Sequence, residues 1–316
     1  MRAKLSIALS ALATVMWAVP NMGAAPSFAR ATKGEVRSSL SLPLPVRFQL
    51  RQERGLLLQA WVNGRGPYIF ALDTGAGMNV ISERVLLESR LPVKNVRPTE
   101  VGGLGVATTL SNREAVISQM ALGDSSNFLP STTTALVLST LPPDIDGILD
   151  PTETYSPYGY SIDLPNERIE ALEDSGDRIP SRRLASEGAL VPWVRVGQTN
   201  RPFVTLGDGR LALVDTGSAF GLAVNERHAV IVGTGSRNPN YESIRDVGGG
   251  RINARRVSPT TISIGELVLR RVPTDILFGI DDDAPVILGR DALYPFKITF
   301  DPRRRTIEFL SVPAND

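Results

Sequence analysis

The 316-residue chain contains no cysteine and a single histidine, His228. Without thiols there is no disulfide and no cysteine nucleophile, and one imidazole cannot build a zinc site from several His or Cys ligands. An excess of charge of one sign is missing too. The 34 basic and 33 acidic side chains leave a formal net charge of +1, which offers no broad electrostatic footprint for nucleic acid or an anionic membrane. No Gly-Lys-Ser/Thr follows the glycine clusters, so a phosphate-binding loop is unsupported. Carboxylates remain as the main chemical resource, and neither a metal nor a cofactor is expected.

What is present is enough apolar material, 42% of residues, to bury a substantial core, at a length that suits two domains better than one. Arg2 and Lys4 precede an apolar run from Leu5 to Val19 and small residues from Gly23 to Ala31, the pattern of an export signal. The run is shorter than the ~20 residues that span a bilayer, so residues 1–31 read as a cleaved leader with possible cuts after Ala25, Ala29 or Ala31. Residues 32–43 form an N-terminal extension. The expected location is periplasmic or secreted, with no stable membrane insertion after cleavage. Cysteine-free export is compatible with a domain large enough to be stable without staples.

The remainder repeats itself. A first copy runs from about Leu44 to Leu172 and a second from about Leu190 to Leu310, giving lobes over 44–172 and 188–316. Between them lies a charged, Ser/Gly/Pro-bearing linker, 173–187. Each copy opens with a hairpin joined by a glycine turn: Leu56 to Val62 turns at Asn63-Gly64-Arg65-Gly66 into Tyr68 to Leu72, and Pro202 to Leu206 turns at Gly207-Asp208-Gly209 into Leu211 to Val214. Both run straight into Asp-Thr-Gly. The offsets agree, 215 − 73 = 142 and 225 − 82 = 143, where Ser82 and Asn225 are candidate N-caps of a following helix. Glycine clusters come next, Gly102-Gly103 with Gly105 and Gly248-Gly249-Gly250, each leading into further strands and reading as hairpin tips. Both copies close alike, Tyr160-Ser161-Ile162-Asp163-Leu164 against Phe296-Lys297-Ile298-Thr299-Phe300.

One Asp-Thr-Gly is weak, because all three residues favour turns. Two, each behind an apolar strand, put an ionisable side chain where burial is costly unless it has a partner. Paired carboxylates cannot both ionise cheaply and share a proton, so one serves as base and the other as acid. Such a pair can activate water against a peptide carbonyl and protonate the leaving nitrogen. Asp73 and Asp215 are the catalytic candidates. Thr74 and Thr216 can lock the loops through their hydroxyls, and Gly75 and Gly217 permit tight backbone and close substrate approach. Ser218 can donate to Asp215 where Ala76 offers nothing to Asp73, which predicts that the shared proton sits on Asp73.

The segments Ala71-Leu72-Asp73-Thr74-Gly75-Ala76, Val214-Asp215-Thr216-Gly217-Ser218 and Val286-Ile287-Leu288-Gly289-Arg290-Asp291-Ala292-Leu293 resemble the pepsin and retropepsin superfamily of aspartic peptidases. The first ends like retroviral-type loops and the second like pepsin-type loops. The third looks like that family's apolar-apolar-Gly segment with its short helix. The resemblance covers nearly everything after residue 44. It implies a mainly β fold of the acid-protease type, a bilobal β-barrel architecture with a pseudo-twofold internal repeat. It further implies endopeptidase activity in an inter-lobe cleft on a peptide or protein substrate. Gly102, Gly103, Gly248 and Gly249 would mark two substrate-binding flaps, as in a retropepsin dimer fused into one chain. Neither flap has a tyrosine of the pepsin kind near its tip. A monomer is expected.

Competing readings stand beside these. The loops can be ordinary strand-ending turns, or belong to a non-catalytic, peptide-binding relative. His228 invites a Ser-His-Asp reading but lacks a Gly-x-Ser-x-Gly elbow, and Asp281-Asp282-Asp283 lacks the spaced ligands of a calcium loop. Asp150, where the second copy has Gly289, either perturbs the pair or caps a short helix begun by Pro151 and faces solvent; the cap is favoured.

Overall fold

The computed structural model describes residues 42–51, 54–102, 108–172, 188–197, 199–226, 241–245, 251–280 and 284–312. The leader, most of the extension, the linker, Gly103, Gly248, Gly249, His228 and the acidic run at 281–283 lie outside the described residues.

The first half runs β1 Val46–Arg47, β2 Gln49–Arg51, β3 Gly55–Val62, β4 Arg65–Leu72, β5 Asn79–Ser82, α1 Glu83–Glu88, β6 Val93–Gly102, β7 Thr108–Ile117, β8 Met120–Leu122, β9 Thr133–Leu138, β10 Gly147–Leu149, α2 Pro151–Thr154, β11 Tyr160–Asp163 and β12 Arg168–Ala171. The second half has β13 Gly188–Pro192, β14 Phe203–Thr205, β15 Leu211–Asp215, β16 Leu222–Asn225, β17 Tyr241–Arg245, β18 Arg251–Ile264, β19 Leu267–Phe278, β20 Val286–Gly289, α3 Arg290–Leu293, β21 Phe296–Asp301 and β22 Thr306–Ser311.

Local chemistry explains the first hairpin. Leu56, Leu58, Ala60 and Val62 alternate into the core along β3, the period-two signature of a half-buried strand. The chain reverses at Asn63 and Gly64, with φ of 47° and 75°, the pair of left-handed residues that a two-residue hairpin turn of matching twist requires. The return strand starts at Arg65, earlier than the apolar run at Tyr68 suggests, because Arg65 completes the ladder opposite Val62. Ser82 caps α1 as expected, its Oγ accepting the Val85 N–H at 3.3 Å.

The duplication is visible in the sheets. One has the order β2-β3-β4-β10-β5-β9-β7-β6, with β8 also on β3; the other is β14-β15-β20-β16-β19-β18-β17. From β3 and β14 onward the two orders correspond strand for strand. The senses agree as well: β4 is parallel to β10 as β15 is to β20, and β5 is parallel to β9 as β16 is to β19. A third sheet, β1-β12-β11-β21-β22-β13, takes strands from both halves. At its centre Ile162 lies opposite Ile298. These two occupy equivalent places in the repeat, so the local pseudo-twofold axis passes between them. Tyr160 stacks on Phe300 at 4.8 Å, Trp193 meets Phe300 edge-on at 6.0 Å, and all three belong to the main core, which is shared by the two halves.

The expected barrels do not close as continuous ladders among the described residues. The first-half sheet returns on itself through a bend. After β7 the chain turns at residues 118–119 and re-enters as β8 against β3. In the second half the end of β18 reaches the first hairpin only through the bridge Leu206 to Ile264. The described residues belong to one compact unit. Among the described residues no helix is long and apolar enough to cross a membrane.

Candidate functional site

Buried apolar strands deliver both acidic loops to one place. β4 carries Phe70 and Leu72, fully buried, to Asp73, whose N–H donates to the Leu149 carbonyl of β10 at 3.0 Å. β15 carries Ala212, Leu213 and Val214 to Asp215, which lies opposite Gly289 of β20.

The two threonines join the loops to each other. The Thr74 hydroxyl donates to the Val214 carbonyl at 2.7 Å and accepts the Thr216 N–H at 3.0 Å. Reciprocally, the Thr216 hydroxyl donates to the Leu72 carbonyl at 3.4 Å and accepts the Thr74 N–H at 3.1 Å. Both threonines are fully buried. Losing either hydroxyl would strand a donor and an acceptor away from water, which makes the crossing expensive to break. The hydroxyl-to-backbone locking expected of these threonines is present, and it runs from one loop to the other.

The glycines are required by the carboxyls. A Cβ on Gly75 would stand 2.7 Å from Cγ of Asp215, and one on Gly217 would stand 2.4 Å from Cγ of Asp73. Each carboxyl therefore rests against the opposite loop's glycine, leaving no room for a methyl group. Each also accepts from its own loop, Gly75 N–H to Asp73 Oδ1 and Gly217 N–H to Asp215 Oδ1, both at 2.8 Å.

The electrostatics favour a proton held by the pair. Burial first, then the charge of Asp73 and a hydrogen bond to it, hold the Asp215 carboxyl well above the usual range, against the opposing N–H donors of Gly217 and Ser218. Two carboxylates in contact cannot both be charged, so the pair holds one proton between them. Ser218 gives Asp215 its backbone N–H at 3.2 Å, while its hydroxyl accepts the Phe220 N–H at 3.4 Å. Ala76 contributes its backbone alone, its N–H donating to the Asp73 carbonyl at 3.4 Å.

Two arginines serve the loops. Arg290, buried at the start of α3, donates through one terminal nitrogen to the carbonyls of Thr216 and Gly217, both at 2.8 Å. Desolvation pulls its affinity for a proton down, while Asp215 and Asp73 raise it. Arg201, from the second half, donates to the Ala76 carbonyl of the first loop at 3.0 Å. Sequence reasoning gave neither a role. An arginine on a short helix normally signals solvent, and the only hint was Pro151 at the corresponding place in the first copy.

Asp150 caps α2, accepting the Thr152 N–H at 2.9 Å with Pro151 in the first turn. Contrary to expectation it does not face solvent, being 1% exposed. The short helix packs under β5, where the side chain of Asn79 accepts both the Asp150 N–H at 2.9 Å and the Thr154 hydroxyl at 3.0 Å. In the second half the Gly289 N–H donates instead to the backbone carbonyl of Gly221. Asn79 thus rewires the first half so that a side chain fits where the second half tolerates none. Of the flap glycines, Gly102 ends β6 opposite Thr108; the others fall outside the described residues. Among the described residues no group of three or more His, Cys, Asp or Glu is placed to hold a metal ion.

A mainly β fold of two like halves, meeting at paired Asp-Thr-Gly loops, is what the resemblance to aspartic peptidases implies. Residues 58–149 match the family model described as aspartyl protease, a span that runs from within β3 through Asp73 to the end of β10. No curated protein matches the chain. The second half lies beyond the matched span, and the strand-for-strand correspondence of the sheets ties it to the first.

Proposed function

We propose that the chain is an aspartic endopeptidase acting on peptide or protein substrates, with Asp73 and Asp215 as its catalytic pair. The observation that carries this reading is the mutual seating of each carboxyl against the other loop's glycine, which holds the two acids in contact. In the starting state Asp73 is ionised and Asp215 carries the proton. Asp73 removes a proton from a water whose oxygen attacks the peptide carbonyl carbon, while Asp215 gives its proton to the carbonyl oxygen. The tetrahedral diol then collapses. The nitrogen takes a proton from Asp73, the C–N bond breaks, and a hydroxyl proton returns to Asp215, restoring the pair. The leader-like residues 1–31 support work in the periplasm or outside the cell, and the chain is taken to act as a monomer.

A mixed peptide library offered to the purified protein from acidic to neutral pH tests this. Cleavage is expected in the wild type and is lost in both Asp73→Asn and Asp215→Asn. Retention of peptides with no cleavage in any form would mark a binding module and refute the proposal.

A further inference from the structure

A third buried carboxyl, Asp150, directly follows the strand that runs in register with β4 ahead of Asp73, and the mechanism does not use it. Leu149, whose carbonyl takes the Asp73 N–H, is followed directly by Asp150. In the second half the corresponding residue, Gly289, stands opposite Asp215, and a Cβ there would come within 2.4 Å of the Phe220 carbonyl. Only the first half has made room for a side chain at this position, and the side chain it holds is ionisable. Asp150 is fully enclosed, and a buried carboxyl in this setting is not required for capping alone, since serine or asparagine caps equally well.

We propose that Asp150 is a positioning residue of the site, whose charge sets the pH range over which Asp73 and Asp215 keep their shared proton. The inference rests on the peptidase reading only for its kinetic arm. The groups that face Asp150 are few. Burial above all, and then the charges of Glu153 on α2 and of Asp73 after β4, raise its proton affinity, while the Thr152 N–H and hydroxyl lower it; the balance is a carboxyl pushed up to about 7. Tyr160 of β11 faces it from the core, its hydroxyl 3.0 Å from the Thr152 hydroxyl, and burial first, then the charge of Asp150, raise the proton affinity of the phenol. No cation is among these groups.

The coupling between Asp150 and the pair is reciprocal. In acid Asp150 is neutral and the pair carries its single charge undisturbed. Above neutrality Asp150 is negative, and removing the last proton from the pair would then add negative charge where Asp150 already acts on Asp73. Asp150 therefore keeps the pair singly protonated to higher pH, extending the working range on its alkaline side.

The test compares the wild type with Asp150→Asn and with Asp150→Ser, each neutral and able to cap α2. Two quantities are followed, carbon-13 carboxyl shifts of Asp73 and Asp215 and the pH profile of peptide cleavage. Expected is a fall of the pair's upper titration, and of the alkaline limb of cleavage, by about one pH unit in both variants, with the acid limb unmoved. If both variants fold and their pair titrates as in the wild type, Asp150 is a helix cap and the proposal is overturned. If no form cleaves peptide, the peptidase reading fails, and the carboxyl titration alone still decides the role of Asp150.

Discussion

Replacing Asp150 with asparagine should make the protein more stable at neutral pH and leave it unchanged in acid. In the folded chain this carboxyl is raised from an ordinary 3.8 to about 7, mainly by burial. Between those values the folded protein holds a proton that the unfolded chain has released, so stability declines as pH rises through this window. A shift of about three units, at roughly 1.4 kcal/mol per unit, puts the penalty at about 4 kcal/mol once pH exceeds the folded value. Asparagine never ionises, and its side-chain oxygen keeps the bond from the Thr152 N–H. Urea unfolding of wild type and Asp150→Asn should therefore agree near pH ~3 and diverge by about 4 kcal/mol near pH ~8, the variant being the more stable. A difference that does not change with pH would refute the reasoning, because only a titrating group couples to protons.

Thr74→Val strands the Val214 carbonyl and the Thr216 N–H at the loop crossing and should cost about 2–5 kcal/mol in urea unfolding, with Thr74→Ser nearer to wild type; a loss below ~0.5 kcal/mol would show the crossing to be weak. Gly217→Ala places a methyl group against the Asp73 carboxyl, so peptide cleavage should fall at least ~100-fold while the far-ultraviolet spectrum is kept; unchanged cleavage would contradict the close seating of the acids. Arg290→Met removes two charged donors from the second loop and should destabilise by about 3 kcal/mol, and it should raise the pair's upper titration because a nearby positive charge is gone. An unmoved titration would mean that the guanidinium acts on the backbone only.

Much of this architecture was legible because the chain states it twice. The repeated hairpins, the constant offset between the Asp-Thr-Gly loops, and the matching closures at Ile162 and Ile298 are local patterns that period-two burial and glycine turns translate directly into strands. What stayed hidden depends on contacts between residues far apart in sequence. The threonine crossing joins positions 142 residues apart, and nothing near Thr74 announces Thr216 as its partner. Arg201 and Arg290 look like surface cations until the fold buries their donors against loop carbonyls. Asp150 read correctly as a cap from Asp-Pro alone. Its burial could not be read, because the enclosure comes from Asn79 and from β11, elements that only tertiary packing brings over α2.

A neutron structure of crystals held near pH ~5 is the most direct examination of the acidic pair. It should show one hydrogen on Asp215, lying in a hydrogen bond to an ionised Asp73. Two bare carboxylates held apart by solvent, each behaving as an ordinary surface acid, would contradict the account.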